Sequence, residues 1–164
     1  MISTLTGTIP LGPMPRTYGN QTLFVGDAAG LAKPTSGGGV YTGVRSARHA
    51  AAVALACCET DTFSDAVLAD YEQRWQADFG RELALGMRLF RLRQELSAAQ
   101  ADALIAKMAD PAITDLIVRY GDMDRPGALI RRLLTKPTII MSLGTIVGPS
   151  VRAFLKELAI GANR

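Results

Sequence analysis

The sequence is poor in the residues that staple or metallate small proteins. Its 164 residues include one histidine, His49, and two cysteines, Cys57 and Cys58. A lone histidine argues against a histidine-rich centre, and no metal is expected. Neighbours on a helix point about 100° apart, so the adjacent cysteines do not bridge each other. They read as two small buried side chains, in keeping with a reducing cytoplasm. No stretch of about 18 uncharged apolar residues occurs, which excludes an ordinary membrane-spanning helix. The nearest approach, "TIIMSLGTIVGPSV" from Thr138 to Val151, is interrupted by Gly144, Gly148 and Pro149 and reads as a buried or interfacial segment. The opening "MISTLTGTIPLGPMP" lacks the basic start and apolar centre of a signal peptide. Charge is sparse too: 20% of residues are charged and the net charge is +3. No basic stripe interleaved with aromatics is present, so nucleic acid is not an expected partner. Internal repeats and low-complexity tracts are also missing.

What the sequence has is an apolar fraction of 48%, enough for a core. Ser3 to Ile9 is rich in β-branched residues and reads as a short strand. "PLGPMPRTYGN", Pro10 to Asn20, carries three prolines and two glycines and reads as a loop. Thr22 to Val25 reads as a second strand, apolar enough for burial on both faces. From Gly39 onward the pattern is helical. An alanine-rich helix is expected from Gly39 to about Cys58. A longer one starts near Thr62, with Val67, Leu68, Tyr71, Trp75, Phe79, Leu83, Met87 and Phe90 at helical spacing and Gly80 and Gly86 as places to bend. "SAAQ" at Ser97–Gln100 is a capping box. Asp110-Pro111 and Asp124-Arg125-Pro126 open two further helices, which Gly121 and Pro137 end. The expected class is mainly α with a small β portion.

Between the second strand and the alanine-rich helix lies "GDAAGLAKPTSGGG", Gly26 to Gly39, with five glycines. A helix N-terminus exposes N–H groups without partners in the helix and a partial positive charge. Gly37-Gly38-Gly39 at such an end would seat an anionic or electron-rich group. Asp27, just past the strand, could accept hydrogen bonds from polyol hydroxyls. A flexible turn with Asp27 as a cap is the plainer alternative. A phosphate loop of the Walker type is excluded, because Lys33 is followed by Pro34. The G-x-G-x-x-G dinucleotide fingerprint is excluded as well, because no βαβ unit surrounds the three glycines.

"LFVGDAAGLAKPTSGGGVYTGVRSARHAA" resembles the second flavin-contacting segment of FAD-dependent oxidoreductases with the glutathione-reductase-like fold. Within that class it is most similar to the geranylgeranyl reductase family. The similarity extends to "GTIPLGPMP", "YEQRWQADFGRELALGMRLFRLRQELS" and "DMDRPGALIRRLL". The resemblance implies that Asp27 hydrogen-bonds the FAD ribityl chain and that Gly26 permits its close approach. It implies that Pro34, Gly37, Gly38 and Gly39 lie beside the isoalloxazine ring, where the helix N-terminus would stabilise negative charge on the reduced flavin. FAD would supply the redox chemistry and the protein its placement. The implied reaction is reduction of carbon–carbon double bonds in polyprenyl chains of lipids or pigments. A flavin monooxygenase or halogenase shares the first half of the motif, but the similarity after Tyr71 is to the reductases. A non-enzymatic module that holds prenyl lipid or a partner protein is the other alternative.

The family's opening Rossmann unit and its Pro-x-x-Tyr-x-Trp-x-Phe-Pro motif do not occur in this sequence. The resemblance therefore implies a carboxyl-terminal fragment of the α/β FAD fold. Residues 1–58 would be a piece of the FAD-binding domain and residues 59–164 a helical region. A half-site is expected to bind FAD weakly or not at all by itself, and a separate chain carrying the Rossmann unit is a candidate partner. Leu83, Met87, Phe90 and the segment Ile139 to Val147 could line an apolar channel for a prenyl-lipid substrate, or form an ordinary helical core. Arg88, Arg91 and Arg93 could meet a pyrophosphate or an anionic membrane surface, or form a solvated helix face. A cytoplasmic location with peripheral membrane contact follows from the first of these. No catalytic residue is assigned; Tyr41 is near the motif, where packing is its simplest role.

Overall fold

A computed structural model of the chain describes residues 3–4, 6–146 and 153. The backbone divides into two compact units, Met1–Met87 and Arg88–Arg164. The described residues are mostly helical, with one two-stranded sheet.

The first unit holds the sheet. Strands β1 (Tyr18–Gly19) and β2 (Thr22–Leu23) pair antiparallel, with Tyr18 opposite Leu23. The connecting Asn20 and Gln21 both have positive φ, 49° and 58°. That is what a two-residue hairpin loop of type I′ requires. The Phe24 N–H donates to the Thr17 carbonyl at 2.9 Å and extends the pairing. Two sequence expectations are corrected here. Among the described residues of Ser3 to Ile9 there is no strand; those residues are exposed, with no second strand pairing them. β-Branched composition suits a strand but does not supply its partner. The expected strand Thr22 to Val25 pairs over two residues, and Thr22 is exposed while Leu23, Phe24 and Val25 are half-buried. It is one arm of a hairpin, covered on one side.

Helices α1 (Val40–Thr60) and α2 (Asp65–Trp75) pack on each other and form the core. Ala50, Val53 and Cys57 recur at three- and four-residue spacing on α1; Leu68, Tyr71 and Trp75 do so on α2. Burying such a side chain contributes about 1.5–3 kcal/mol. A two-residue hairpin is marginal by itself, so the helix pair holds the hairpin and not the reverse. The consecutive-residue geometry corrects the cysteines: Cys57 is buried, Cys58 is exposed, and both are free. Two neighbours on one helix cannot both face the same core.

The helix that begins at α2 continues through a π-helical turn, Gln76–Gly80, into α3 (Arg81–Gln94). Gly80, one of the two expected bending points, ends that turn. The turn keeps Phe79 in the core beside Trp75, with ring centroids 5.7 Å apart. Thr17 ties the hairpin to α2 from inside. Its N–H and hydroxyl donate to Glu72 Oε2 at 2.7 and 2.9 Å, and its hydroxyl accepts from Trp75 Nε1 at 2.9 Å.

In the second unit, α4 (Ala98–Met108), α5 (Pro111–Tyr120), α6 (Gly127–Leu134) and α7 (Pro137–Ile146) follow. Ser97 and Gln100 form the expected reciprocal capping box. Asp110 accepts from the Ala112 N–H, with Pro111 in the first turn and Gly121 after the last. Helix α5 packs on α6, and α7 packs on α4 and α6. The apolar stretch from Thr138 is therefore largely α7. Ile139 is buried and Met141 is 73% exposed.

Candidate functional site

The chain leaves the hairpin through Phe24 and Val25 and enters a single 3₁₀ turn, Gly26–Ala29. Three contacts within the first unit fix that entry. Tyr71 donates its hydroxyl to the Phe24 carbonyl at 2.6 Å. The Gly26 N–H donates to Ser46 Oγ on α1 at 3.1 Å, and Ser46 in turn donates to the Gly43 carbonyl at 3.0 Å. The Met14 N–H donates to the Ala29 carbonyl at 3.0 Å, and Leu11 bridges Leu31 just beyond. Burial pushes the Tyr71 hydroxyl up to about 12, so it remains a donor throughout the neutral range.

Gly30 closes the turn in the left-handed region, at φ 70°, with its N–H donating to the Asp27 carbonyl at 3.0 Å. A side chain there would be strained, and its Cβ would overlap the Gly12 carbonyl oxygen. The reversal is therefore locked from both sides. The following loop is closed by the Lys33 N–H donating to the Gly38 carbonyl at 3.0 Å and the Gly37 N–H to the Lys33 carbonyl at 2.8 Å. Pro34 is buried and lies next to Gly86 on α3.

These constraints bring Asp27 to Gly39. The Asp27 side chain is exposed, and its carboxylate occupies the space where a Gly39 Cβ would stand. Gly39 is the N-cap of the 21-residue helix α1, and no side chain caps it. A carboxylate beside a helix N-terminus is electrostatically favoured. Of the other expected site residues, Gly37 is exposed with nothing within 4 Å of its Cβ position. Gly38 is half-buried beside Lys33, and its N–H makes a long, 3.4 Å contact with Ser36 Oγ. Gly26 is buried under α1. Asp27 and Gly39 are thus brought together, Gly38 lies against Lys33, and Pro34 is buried beneath the loop. The arrangement sets a carboxylate acceptor beside a helix N-terminus.

Other expected residues are elsewhere. Tyr41 is half-buried on the first turn of α1. Leu83 is buried, Met87 and Phe90 are half-buried, and Arg88, Arg91 and Arg93 are exposed. Of the segment Ile139 to Val147, the last residue lies outside the described residues. Sequence reasoning missed Ser46 and Tyr71, which set the approach to Asp27. The signal for Ser46 was available: Thr42, Ser46, Ala50, Val53 and Cys57 form the buried face of α1. A second cluster was also missed. Asp78 in the π-helical turn accepts from Arg45 Nε at 2.7 Å and Nη2 at 2.6 Å, and lies 2.9 Å from His49 Nε2. The Arg45 hydrogen bonds, with His49 assisting, hold the Asp78 carboxyl below its ordinary value. This clamp joins α1 to the π-helical turn.

Comparison with known proteins gives the chain its context. A family model described as lycopene cyclase protein matches residues 1–109. An uncharacterized protein of Methanocaldococcus jannaschii is 35% identical over 129 residues, covering 79% of this chain and 33% of that protein. Digeranylgeranylglycerophospholipid reductase 2 of Methanopyrus kandleri is 36% identical over 99 residues, covering 60% of this chain and 25% of the relative. Digeranylgeranylglycerophospholipid reductase 1 of Methanococcoides burtonii is 32% identical over 111 residues, covering 67% and 27%. The chain spans about a quarter to a third of the length of these relatives. No solved structure matches.

Proposed function

This chain belongs to the lycopene cyclase protein family and, with its curated relatives, to the geranylgeranyl reductases, and on that premise we propose that it supplies part of the FAD site of a prenyl-lipid reductase. Residues 1–58 contribute a piece of the FAD-binding domain, and residues 59–164 the helical region that follows it. Asp27 holds the ribityl hydroxyls. The N-terminus of α1 at Gly38 and Gly39 faces the electron-rich edge of the isoalloxazine, with Gly26, Pro34 and Gly37 shaping the approach. FAD, when bound, supplies the hydride chemistry. The substrate class is a polyprenyl chain on a glycerophospholipid. The observation that carries the reading is the exposed Asp27 carboxylate seated against Gly39 at the uncapped start of a 21-residue helix.

In this reading the site contacts one half of FAD, and the adenosine half calls for a dinucleotide-binding unit. The chain alone is therefore expected to bind FAD weakly or not at all, and a partner segment or chain with a G-x-G-x-x-G unit is expected to restore binding. The test joins the chain to the dinucleotide-binding unit of a curated relative and supplies FAD, a reductant and digeranylgeranylglycerophospholipid. Mass spectrometry should show hydrogen pairs added to the prenyl chains, abolished by Asp27→Ala. A joined protein that binds FAD equally with and without the Asp27 carboxylate would refute the assignment.

A further inference from the structure

Gly86 occupies a place that bending does not explain. It reads from the sequence as a point where the helix could bend, yet α3 runs through it from Arg81 to Gln94. Its φ is not positive, so no left-handed turn calls for glycine. In a helix interior glycine is the least favourable residue after proline. Gly86 is buried, and a Cβ there would stand 3.2 Å from Pro34 Cδ, 3.7 Å from Pro34 Cγ and 3.9 Å from Thr35 Cγ2. What the glycine provides is the close approach of α3 to the loop between Asp27 and α1. Met87, the next residue, lies beside Gly12, whose carbonyl confines Gly30. Consecutive residues of α3 thus touch both flanks of the Asp27 segment, all within the first unit.

The π-helical turn is what aims Gly86. Tyr71, Trp75, Phe79 and Leu83 are all buried and lie four residues apart. Each such step advances the face of an α-helix by about 40°, so three steps would turn Leu83 about 120° away from Tyr71. The wider turn at Gln76–Gly80, closed five residues apart, absorbs that drift and returns Leu83 and Gly86 to the buried side. Asp78 in the turn is bonded to Arg45 of α1, the helix that Gly39 begins. The loop above Gly86 is stiff. Pro34 has a fixed φ, and the Lys33–Gly38 and Gly37–Lys33 backbone bonds close the loop around it. Pro34 cannot shift without carrying Gly37 and Gly38. We infer that Gly86 is a positioning residue for the ligand site. Its missing side chain sets the depth at which Pro34 seats, and through the closed loop it sets where the Gly37–Gly38 backbone stands at the start of α1. The inference rests on the FAD reading above, in which that backbone lies beside the isoalloxazine.

The test has two arms. The first uses the full chain without flavin, labelled with heavy nitrogen for nuclear magnetic resonance. Gly86→Ala should shift the amide signals of Gly37 and Gly38, because Pro34 must give way to the new methyl group. Ala84→Gln, on the exposed side of α3, should leave them in place. Pro34→Ala removes the Cγ and Cδ that the methyl meets, so Gly86→Ala added to it should cause no further shift. The second arm uses the chain joined to a dinucleotide-binding unit and reads the flavin midpoint potential. Weakening one hydrogen bond to the anionic reduced flavin should cost the reduced form about tenfold more affinity than the oxidised form. The potential of Gly86→Ala should then fall by about 30 mV. A role in folding alone would move the melting temperature and not the potential. Three results would overturn the inference: unshifted glycine amides, shifts undiminished in the Pro34→Ala background, or shifted amides with an unchanged potential while Asp27→Ala still weakens FAD binding. FAD affinity indifferent to Asp27, with the Pro34-dependent shifts present, refutes the functional reading alone. Should Gly86→Ala not fold, adding Pro34→Ala should restore the fold, and failure to do so also overturns the inference.

Discussion

Replacing Gly39 by alanine separates the role of its empty Cβ position from its backbone. The N-cap conformation, φ −111° and ψ −10°, is one that alanine adopts without strain. The nearest conflict is with Asp27: the added Cβ would lie 3.1 Å from its Cγ and 3.3 Å from Oδ2, and would overlap Oδ1. Because Asp27 is exposed, its side chain can turn into water. Stability should change by no more than the roughly 0.5 kcal/mol typical of surface substitutions. The displaced carboxylate, however, leaves the position from which it would accept ligand hydroxyls. A hydrogen bond to a charged group contributes about 1.5–3 kcal/mol, which is a loss of about 10- to 150-fold in affinity. The assay is quenching of flavin fluorescence in the chain joined to a dinucleotide-binding unit, beside thermal melting followed by circular dichroism. Gly39→Ala and Asp27→Ala should weaken FAD binding alike, and the double variant no further, since both act through one carboxylate. Additive losses would mean that Gly39 acts through something else. Unchanged affinity in both would remove Asp27 from the site.

Gly30→Ala should cost stability instead of affinity. The left-handed backbone costs alanine about 1–2 kcal/mol, and the Gly12 carbonyl it meets is backbone that cannot swing away; a total above about 2 kcal/mol should appear in urea denaturation. Asp78 predicts a pH dependence. Its folded pKa lies below the ordinary 3.8 because Arg45 and then His49 bond the ionised form, so its stabilisation is complete above that value and is lost as pH falls through the depressed one. Asp78→Asn should lower the urea midpoint at pH 7 and flatten its decline as pH falls below the ordinary 3.8. Tyr71, pushed up to about 12 by burial, should give a tyrosinate step near that pH in an alkaline titration, and Tyr71→Phe should remove that step while loosening the entry to the Asp27 turn.

Legibility in the sequence followed the range of the interaction. The box at Ser97 and Gln100 and the Asp110-Pro111 start are satisfied within three residues, and their chemistry could be read directly. The alanine-rich helix was legible because its period and its lack of proline are local properties. The strand expected at Ser3 to Ile9 failed because a strand is a property of two segments. Thr22 to Val25 was shortened for the same reason, its partner being a two-residue stretch, Tyr18–Gly19. The ties of Thr17 to Glu72 and Trp75, and of Arg45 and His49 to Asp78, join residues 29 to 58 positions apart. No spacing rule reaches that far. The π-helical turn left one trace, Gly80, which marked where the helix would deviate but not that the deviation would carry Asp78 to α1.

The position of Asp27 is set by pieces that are themselves remote from it. Phe24 is held by Tyr71, Gly26 by Ser46, Ala29 by Met14, and Gly30 is confined by Gly12; each of these lies within the first unit. The turn around Asp27 therefore takes its shape from the fold and not from a ligand. A preorganised acceptor does not lose binding energy to its own ordering. If the proposed reading holds, such a site can be well shaped and still bind FAD weakly, because affinity sums contacts over the whole ligand. On the proposed reading, the geometry at Asp27 and Gly39 is compatible with weak binding by the chain alone. On that reading, a dinucleotide-binding unit would add its contacts without having to reshape the turn at Asp27.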